Sequence, residues 1–113
     1  MHELSLAESV LQIIEDAATE QKFMRVKTVW LEIGRLSCVE KEALQFCCDA
    51  VMRDSIAAQA KLEIIDIAGE GWCEQCACTV PLAALYEACP KCGKHAIKVT
   101  GGDTMRVKEL EVE

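Results

Sequence analysis

Two pairs of cysteines in the second half of the chain have the spacing of a metal site. Cys73 and Cys76 form one C-x-x-C pair, and Cys89 and Cys92 form another after twelve intervening residues. Each pair can form a tight turn that directs two thiolates toward one ion, and four thiolates complete the closed tetrahedral shell that structural zinc prefers. Gly93, directly after the second pair, can adopt the positive φ typical of such a turn. The spacing therefore predicts a four-cysteine metal site, with zinc as the favoured ion.

Other cysteine chemistry competes with zinc at this point. Iron in a rubredoxin-like shell is the chemical rival, since both ions accept four thiolates. A thioredoxin-like dithiol fits less well, because that chemistry uses a single C-x-x-C motif that opens a helix. Cys38, Cys47 and Cys48 lie in an apolar-periodic segment and are expected to be small buried hydrophobes. Cys78 and His95 could serve as spare ligands, although four better-spaced thiolates already saturate an ion.

The first residues form a weaker candidate for a second metal site. The α-amine of Met1, the backbone amide of His2 and the His2 imidazole can form fused chelate rings around one ion. Deprotonated amide and imidazole nitrogens suit square-planar Ni(II) or Cu(II), and Glu3 adds a carboxylate beside them. A histidine near a terminus is more often an exposed residue without a ligand, so the spacing alone does not establish this site.

The composition restricts the class of protein. The chain has 113 residues, 51% of them hydrophobic, which excludes general disorder, and its length allows one domain with a small satellite. Residues 1–70 carry a formal charge of −6 and residues 71–113 one of −1. A pI of about 4.8 argues against nucleic-acid binding, which needs clustered Lys and Arg. No export signal and no run of about 20 apolar residues is visible, so we expect a soluble cytoplasmic protein with no membrane association.

The hydrophobic pattern of the first part predicts two helices and two strands. Ser5 with Glu8 reads as a capping box, so a helix is expected from about residue 6 to 21. Alternation predicts a half-buried strand over residues 25–34. A second capping box, Ser37 with Glu40, opens a helix to about residue 52, and a strand is predicted at residues 61–68. The expected apolar stripe of this second helix consists of Val39, Ala43, Leu44, Cys47 and Val51.

Glycines separate the cysteine pairs from the rest of the chain. Gly69 and Gly71 read as a hinge into the metal module, and residues 101–103 as the hinge out of it. A last strand over residues 104–113 can return to the sheet built by the first part. The predicted fold is therefore α+β, a small mixed sheet of about three strands with two helices and an inserted zinc-ribbon module. The predicted domains are residues 1–68 with 104–113 and residues 69–103.

The whole chain resembles the HypA/HybF family of hydrogenase-maturation nickel-delivery proteins. The resemblance rests on M-H-E-L-S at residues 1–5, V-W-L-E-I-G-R-L-S at residues 29–37, the two C-x-x-C pairs and the acidic closing strand, in that order. It implies a nickel metallochaperone, not an enzyme, that binds Ni(II) at its N-terminus and delivers it to the [NiFe]-hydrogenase large subunit. It also implies a structural or regulatory Zn(II) site.

The resemblance assigns ligands by position. The implied Ni(II) ligands are Met1, His2, Glu3 and, as an accessory, Glu40. The implied Zn(II) ligands are Cys73, Cys76, Cys89 and Cys92. Some members of the family place a histidine close behind each cysteine pair, whereas Cys78 and Gly93 stand near those positions here. This departure puts a histidine-based change of zinc ligands in doubt, although His95 remains as a candidate.

The resemblance also implies partners, and two other functions stay open. The implied partners are a HypB-type maturation GTPase and the hydrogenase large-subunit precursor, and self-association is left open. There is no G-x-x-x-x-G-K-S/T phosphate loop, so the chain is not expected to hydrolyse nucleotides itself. A zinc-ribbon module that binds nucleic acid would show salt-dependent binding, and a rubredoxin-like electron carrier would show a visible iron–thiolate absorption band.

Overall fold

Two helices and two three-stranded sheets make up the fold, in a computed structural model that describes residues 3–113. The elements are α1 (Glu3–Gln21), β1 (Val26–Gly34), α2 (Lys41–Met52), β2 (Lys61–Ile67), β3 (Gly69–Cys73), β4 (Cys78–Leu82), β5 (Ile97–Gly101) and β6 (Met105–Val112). The strand orders are β2-β1-β6 and β4-β3-β5. The predicted α+β class, with two helices and a zinc-ribbon-like module, is confirmed. So is the return of the last strand to the first sheet.

The chain separates into two compact units. The first, here called the helical unit, consists of Met1–Leu31, Val39–Ile64 and Val107–Glu113. The second, the cysteine unit, consists of Glu32–Cys38 and Ile65–Arg106. The domain boundaries predicted from the glycines, at residues 69 and 103, stay a prediction.

The core of the helical unit lies between α1, α2 and the first part of β1. Helix α1 buries Ala7, Val10 and Ile14, which recur at helical spacing. Helix α2 buries Leu44, Cys48 and Met52, each four residues after the last. The stripe predicted for α2 is therefore correct at Leu44. The buried face is rotated by about one residue, which leaves Ala43, Cys47 and Val51 half-buried, and Val39 lies before the helix begins.

Neither predicted capping box forms. Helix α1 already begins at Glu3, so Ser5 lies inside the helix, where its carbonyl accepts a hydrogen bond from the Ser9 hydroxyl at 2.9 Å. Helix α2 begins at Lys41, and its N-cap residue, Glu40, makes no side-chain capping bond. The Ser37 hydroxyl is instead used in the preceding turn, where it donates to the carbonyl of Gly34 at 2.6 Å.

The beginning of β1 and the end of β6 are tied together within the helical unit. The backbones of Arg25 and Glu113 exchange two N–H···O bonds, which is the pattern of an antiparallel pair. The Arg25 guanidinium also donates to the Glu113 carboxylate and lowers the pKa of that carboxyl below its usual value. Beside them, the Thr28 hydroxyl donates to the Glu111 carboxylate at 2.8 Å. These contacts hold the last strand beside β1.

The sheet of the cysteine unit has β3 at its centre. This strand pairs antiparallel with β4, where Cys73 lies opposite Cys78, and with β5, where Cys73 lies opposite Ile97. The predicted hinge at Gly69 and Gly71 is therefore wrong, since both residues lie in β3 and are buried. Neither glycine has a Cβ, and a Cβ on Gly71 would lie 2.8 Å from Cδ1 of Leu82. The glycines permit close strand packing instead of flexibility.

Within residues 3–113, neither helix is both long enough and apolar enough to cross a membrane.

Candidate metal centre

The two C-x-x-C pairs meet inside the cysteine unit. Cys73 is the last residue of β3 and Cys76 follows in the turn before β4, while Cys89 and Cys92 lie in the loop before β5. The four Sγ atoms all lie within 4.8 Å of one another. The Sγ atoms of Cys73 and Cys92 are 3.7 Å apart, and those of Cys76 and Cys89 are 3.9 Å apart. The structure thus brings together the four residues that the spacing paired.

This cluster has the dimensions of a tetrahedral metal site. Zinc–sulfur bonds of about 2.3 Å in tetrahedral geometry place neighbouring sulfurs about 3.8 Å apart. The Cys73–Cys92 and Cys76–Cys89 sulfur separations lie on either side of that value. A disulfide would require sulfurs about 2 Å apart, so these distances fit four ligands around a shared ion and not two cystines.

Backbone amides support the sulfurs within each turn. The N–H of Cys76 donates to the Sγ of Cys73 at 3.5 Å, and the N–H of Lys91 donates to the Sγ of Cys89 at 3.4 Å. The residue after each pair has a positive φ, 51° at Ala77 and, as predicted, 74° at Gly93. Each turn therefore bends sharply after its second cysteine and points N–H groups toward sulfur, which favours thiolate charge.

These contacts give the thiols of Cys89 and Cys76 different pKa values. The N–H groups of Cys92 and Lys91 lower the pKa of Cys89 to about 7. Hydrogen bonding to the thiol of Cys92, together with burial, raises the pKa of Cys76 to about 12. Cys89 consequently ionises more readily than Cys76, and deprotonated thiolates are the form that binds a metal.

The cluster is also the small core of its unit. Cys73 and Cys89 are buried together with Val80, and Cys76, Cys92 and Ile97 pack against them half-buried. Within the described part of the chain, only Val80 joins the two buried cysteines in this cluster. An ion bound by four thiolates would therefore replace much of the apolar core that a small domain needs.

The remaining cysteines and His95 lie outside the four-sulfur group. Cys78 packs against it half-buried, and its Sγ accepts a hydrogen bond from Nζ of Lys91 at 3.6 Å. His95 is exposed. Of the three cysteines expected to be buried, Cys48 is buried, Cys47 is half-buried and Cys38 is exposed, so the prediction is wrong for Cys38. Cys38 lies beyond the apolar stripe of α2, in the turn after β1, with a φ of 61°.

The candidate nickel ligands belong to the helical unit. Met1 and His2 lie outside the described residues. Glu3, the first residue of α1, and Glu40, the N-cap of α2, lie together: the N–H of Glu40 donates to Oε2 of Glu3 at 3.5 Å. Two carboxylate residues that are far apart in the sequence are thus adjacent in space.

Sequence reasoning missed two features around the sulfurs. The Lys91 ammonium beside Cys78 and the strained turn at Ala77 were not predicted. Nothing in the local sequence indicated the contact between Lys91 and Cys78, which are 13 residues apart.

Comparisons with known proteins agree on one family. A family model described as hydrogenase/urease nickel incorporation, metallochaperone, HypA matches residues 1–112. The hydrogenase maturation factors HypA of Albidiferax ferrireducens and Dechloromonas aromatica are 61% and 60% identical to this chain, over the full length of both proteins.

A solved structure extends the agreement to the fold. The solution structure of the Ni metallochaperone HypA from Helicobacter pylori aligns with a TM-score of 0.75 at 28% identity, covering 99% of this chain and 97% of the other. The chain therefore belongs to the HypA family of hydrogenase/urease nickel-incorporation metallochaperones.

Proposed function

We propose that this protein binds Ni(II) through Met1 and His2, with Glu3 and Glu40 beside them, and delivers the ion to the large subunit of [NiFe]-hydrogenase. The family description names nickel incorporation, and the full-length relatives are named hydrogenase maturation factors. A HypB-type maturation GTPase and the hydrogenase large-subunit precursor are the partners that this role requires.

The main support for the location of the proposed nickel site is the contact between Glu3 and Glu40. Glu3 directly follows His2, and consecutive Cα atoms are about 3.8 Å apart, so a chelate built on His2 forms next to Glu3. The 3.5 Å hydrogen bond joins the backbone of Glu40 to the Glu3 carboxylate, which supports including Glu40 in the same site. Nitrogen donors from the terminus and oxygen donors from two carboxylates match the N,O ligand sets that Ni(II) accepts.

A site of this kind suits an ion that must be released. The α-amine and imidazole can both be protonated, and protonation removes them as ligands. The carboxylates of Glu3 and Glu40 are on residues that are half-buried and exposed, respectively, so the ligands of a receiving protein can reach the ion. Exchange between two partly open ligand sets moves the ion without a free aqueous intermediate.

We propose zinc as the resident ion of the four-cysteine cluster. The sulfur separations fit a tetrahedral Zn²⁺ shell, and Cys73, Cys76, Cys89 and Cys92 would hold the ion closed off from exchange. Its contribution is to keep the cysteine unit folded. Metal analysis and the absorption spectrum of the purified protein distinguish zinc, which is colourless, from iron, which gives a visible charge-transfer band with thiolates.

The nickel proposal is tested by calorimetric titration of Ni(II) into zinc-loaded protein that begins at Met1. The chain contains two histidines, so His95→Ala is a matched control for His2→Ala. We expect one nickel ion per wild-type chain, loss of this binding in His2→Ala and normal binding in His95→Ala. Nickel binding that depends on His95 and not on His2 would place the site in the cysteine unit and refute the proposal.

Delivery is tested with the purified hydrogenase large-subunit precursor. Nickel-loaded protein is mixed with nickel-free precursor, the two are separated and the nickel in each is measured. We expect the ion to leave the wild-type protein and His95→Ala faster when precursor is present than when it is absent. If precursor does not accelerate nickel loss, this protein stores nickel and does not deliver it.

A further inference from the structure

Helix α2 carries a second apolar face that points away from the core. Leu44, Cys48 and Met52 form its buried face, whereas Phe46 and Ala50 lie four residues apart on the opposite, exposed side. Phe46 is 75% exposed. We call the outward set, together with Glu42 and Asp49, the outer face of α2.

Charged residues flank Phe46 on the helix surface. A single exposed apolar side chain is common, so its exposure alone carries little weight. Here, however, Glu42 precedes Phe46 by four residues and Asp49 follows it by three, and both are exposed neighbours on the helix surface. An aromatic side chain in the centre with charged residues at the rim is the usual composition of an energetically important contact region.

We propose that the outer face of α2 docks the protein that receives the nickel, through an apolar pocket on that protein lined at its rim by Lys and Arg. Phe46 fills the pocket, and Glu42 and Asp49 meet the basic rim. This inference rests on the proposed function, because it specifies the partner surface used for delivery.

Charge determines which kind of partner fits. The helical unit contains 13 acidic and 7 basic residues, a formal charge of −6, whereas the cysteine unit carries −1. If a second copy of this chain docked there, two helical units that each carry a formal charge of −6 would meet, and they would repel each other at low ionic strength. A partner with a basic docking surface is attracted by the same charge, and its association is accelerated.

The position of the outer face links docking to nickel transfer. Glu40, the proposed accessory ligand, is the N-cap of α2, so Phe46 lies six residues further along the same helix. At a rise of 1.5 Å per residue, that separation is about 9 Å along the axis. A protein seated on Phe46 would therefore cover the helix a short distance from Glu40 and from Glu3, which contacts it.

The test measures binding of zinc- and nickel-loaded protein to the purified hydrogenase large-subunit precursor, by biolayer interferometry at low and at physiological salt. The variants are Phe46→Ala and the double variant Glu42→Gln/Asp49→Asn. Met24→Ala is the matched control, since Met24 is an 81% exposed apolar residue of the same unit that is not on α2. Nickel affinity is measured in parallel for each variant, and thermal unfolding confirms that each is folded.

We expect Phe46→Ala to weaken precursor binding by about tenfold or more, and the double variant to weaken it mainly at low salt. Nickel affinity stays at the wild-type value in both, and Met24→Ala behaves as wild type. Normal precursor binding by Phe46→Ala overturns the inference. The inference is also overturned if the wild-type protein does not bind precursor. It is likewise overturned if Phe46→Ala binds precursor normally and loses only its binding to the maturation GTPase or only its self-association.

Failure of the nickel proposal would look different. In that case the wild-type protein does not take up nickel at its N-terminus in the parallel titration, whatever the outer face of α2 does. Docking that depends on Phe46 would then identify a partner surface in a protein that does not carry the ion.

Discussion

The backbone N–H of Glu40 donates a hydrogen bond to Oε2 of Glu3, a residue 37 positions earlier in the chain. This contact places a carboxylate at the N-terminal end of α2, whose N-cap makes no side-chain capping bond of its own. Negative charge is favourable there because the first N–H groups of a helix lack partners within the helix. Glu3 therefore stabilises the meeting of the two helices in addition to its proposed role toward nickel.

Replacing either carboxylate should weaken nickel binding. Glu3→Gln and Glu40→Gln each remove one negative oxygen donor, and we expect each to lower nickel affinity by about tenfold. Calorimetry on zinc-loaded protein measures the change. Glu8→Gln is the control, because Glu8 is an exposed glutamate of the same helix. If all three variants bind nickel equally well, the Glu3–Glu40 contact is structural only.

Removing one thiol should release the ion from the cysteine unit. In Cys73→Ser we expect loss of stoichiometric metal, because a tetrahedral thiolate shell with three sulfurs holds zinc much more weakly and Cys73 is fully buried. Metal analysis after dialysis against a chelator measures retention, and circular dichroism follows loss of the β4-β3-β5 sheet. The exposed Cys38 provides the control Cys38→Ser, which should keep its metal. Equal retention by both variants would exclude Cys73 as a ligand.

Strands β1, β2 and β6 and the metal cluster were predictable because their signals lie in the local sequence or in a characteristic cysteine spacing. Alternation over β1 is visible in the burial of Val29, Leu31 and Ile33, and the last strand was recognised in the same way. The two C-x-x-C pairs predicted convergence because four thiols at this spacing have few other uses in a reducing compartment. The expectation that the chain is not an enzyme agrees with the metallochaperone family to which it belongs.

The helix starts and the glycines were mispredicted because non-local contacts decide them. Helix α1 begins two residues before Ser5, at Glu3, whose carboxylate has a partner 37 residues away. Gly69 and Gly71 resemble a hinge when read locally, yet the neighbouring side chains of Leu36 and Leu82 fill the space that a Cβ would occupy. Strands β4 and β5 pair only through β3, so neither was identified from its own sequence.

Cys48 should be the slowest of the free thiols to react. Burial, followed by the charges of Asp49 and Cys47, raises the pKa of Cys48 from 9.0 to about 11. That increase lowers the thiolate fraction at pH 8 about a hundredfold, and thiolate is the reactive form. Iodoacetamide labelling of metal-loaded protein, followed by peptide mass spectrometry, should modify Cys38 long before Cys48. Labelling of Cys48 at the rate of Cys38 would mean that α2 opens readily.

The same raised pKa makes a prediction about stability at alkaline pH. The folded protein holds the Cys48 proton more tightly than the unfolded chain, so the stabilisation is fully present below pH 9 and is lost as pH rises from 9 to about 11. By pH 10 the free energy of unfolding should fall by about 1 kcal/mol relative to Cys48→Ala, which lacks the titrating thiol. Urea unfolding of both proteins at pH 8 and pH 10 measures the difference. A constant difference would contradict the burial of this thiol.

A methyl group at Gly71 should destabilise the cysteine unit. A Cβ there would overlap Cγ2 of Ile97, which packs against the metal cluster, and would approach Cδ1 of Leu82 to 2.8 Å. Overpacking of this kind costs about 1–3 kcal/mol, so metal-loaded Gly71→Ala should unfold at a lower temperature and lose zinc faster to a chelator.

Gly101→Ala is the matched control for this substitution. The nearest atom to its added Cβ would be Cβ of Glu70, at an ordinary contact distance of 3.9 Å. This variant should therefore keep the wild-type unfolding temperature and the wild-type rate of zinc loss. If Gly71→Ala matches it in both measurements, β3 can move away from β5 without disturbing the cysteines. The close packing of β3 would then play no part in holding the metal.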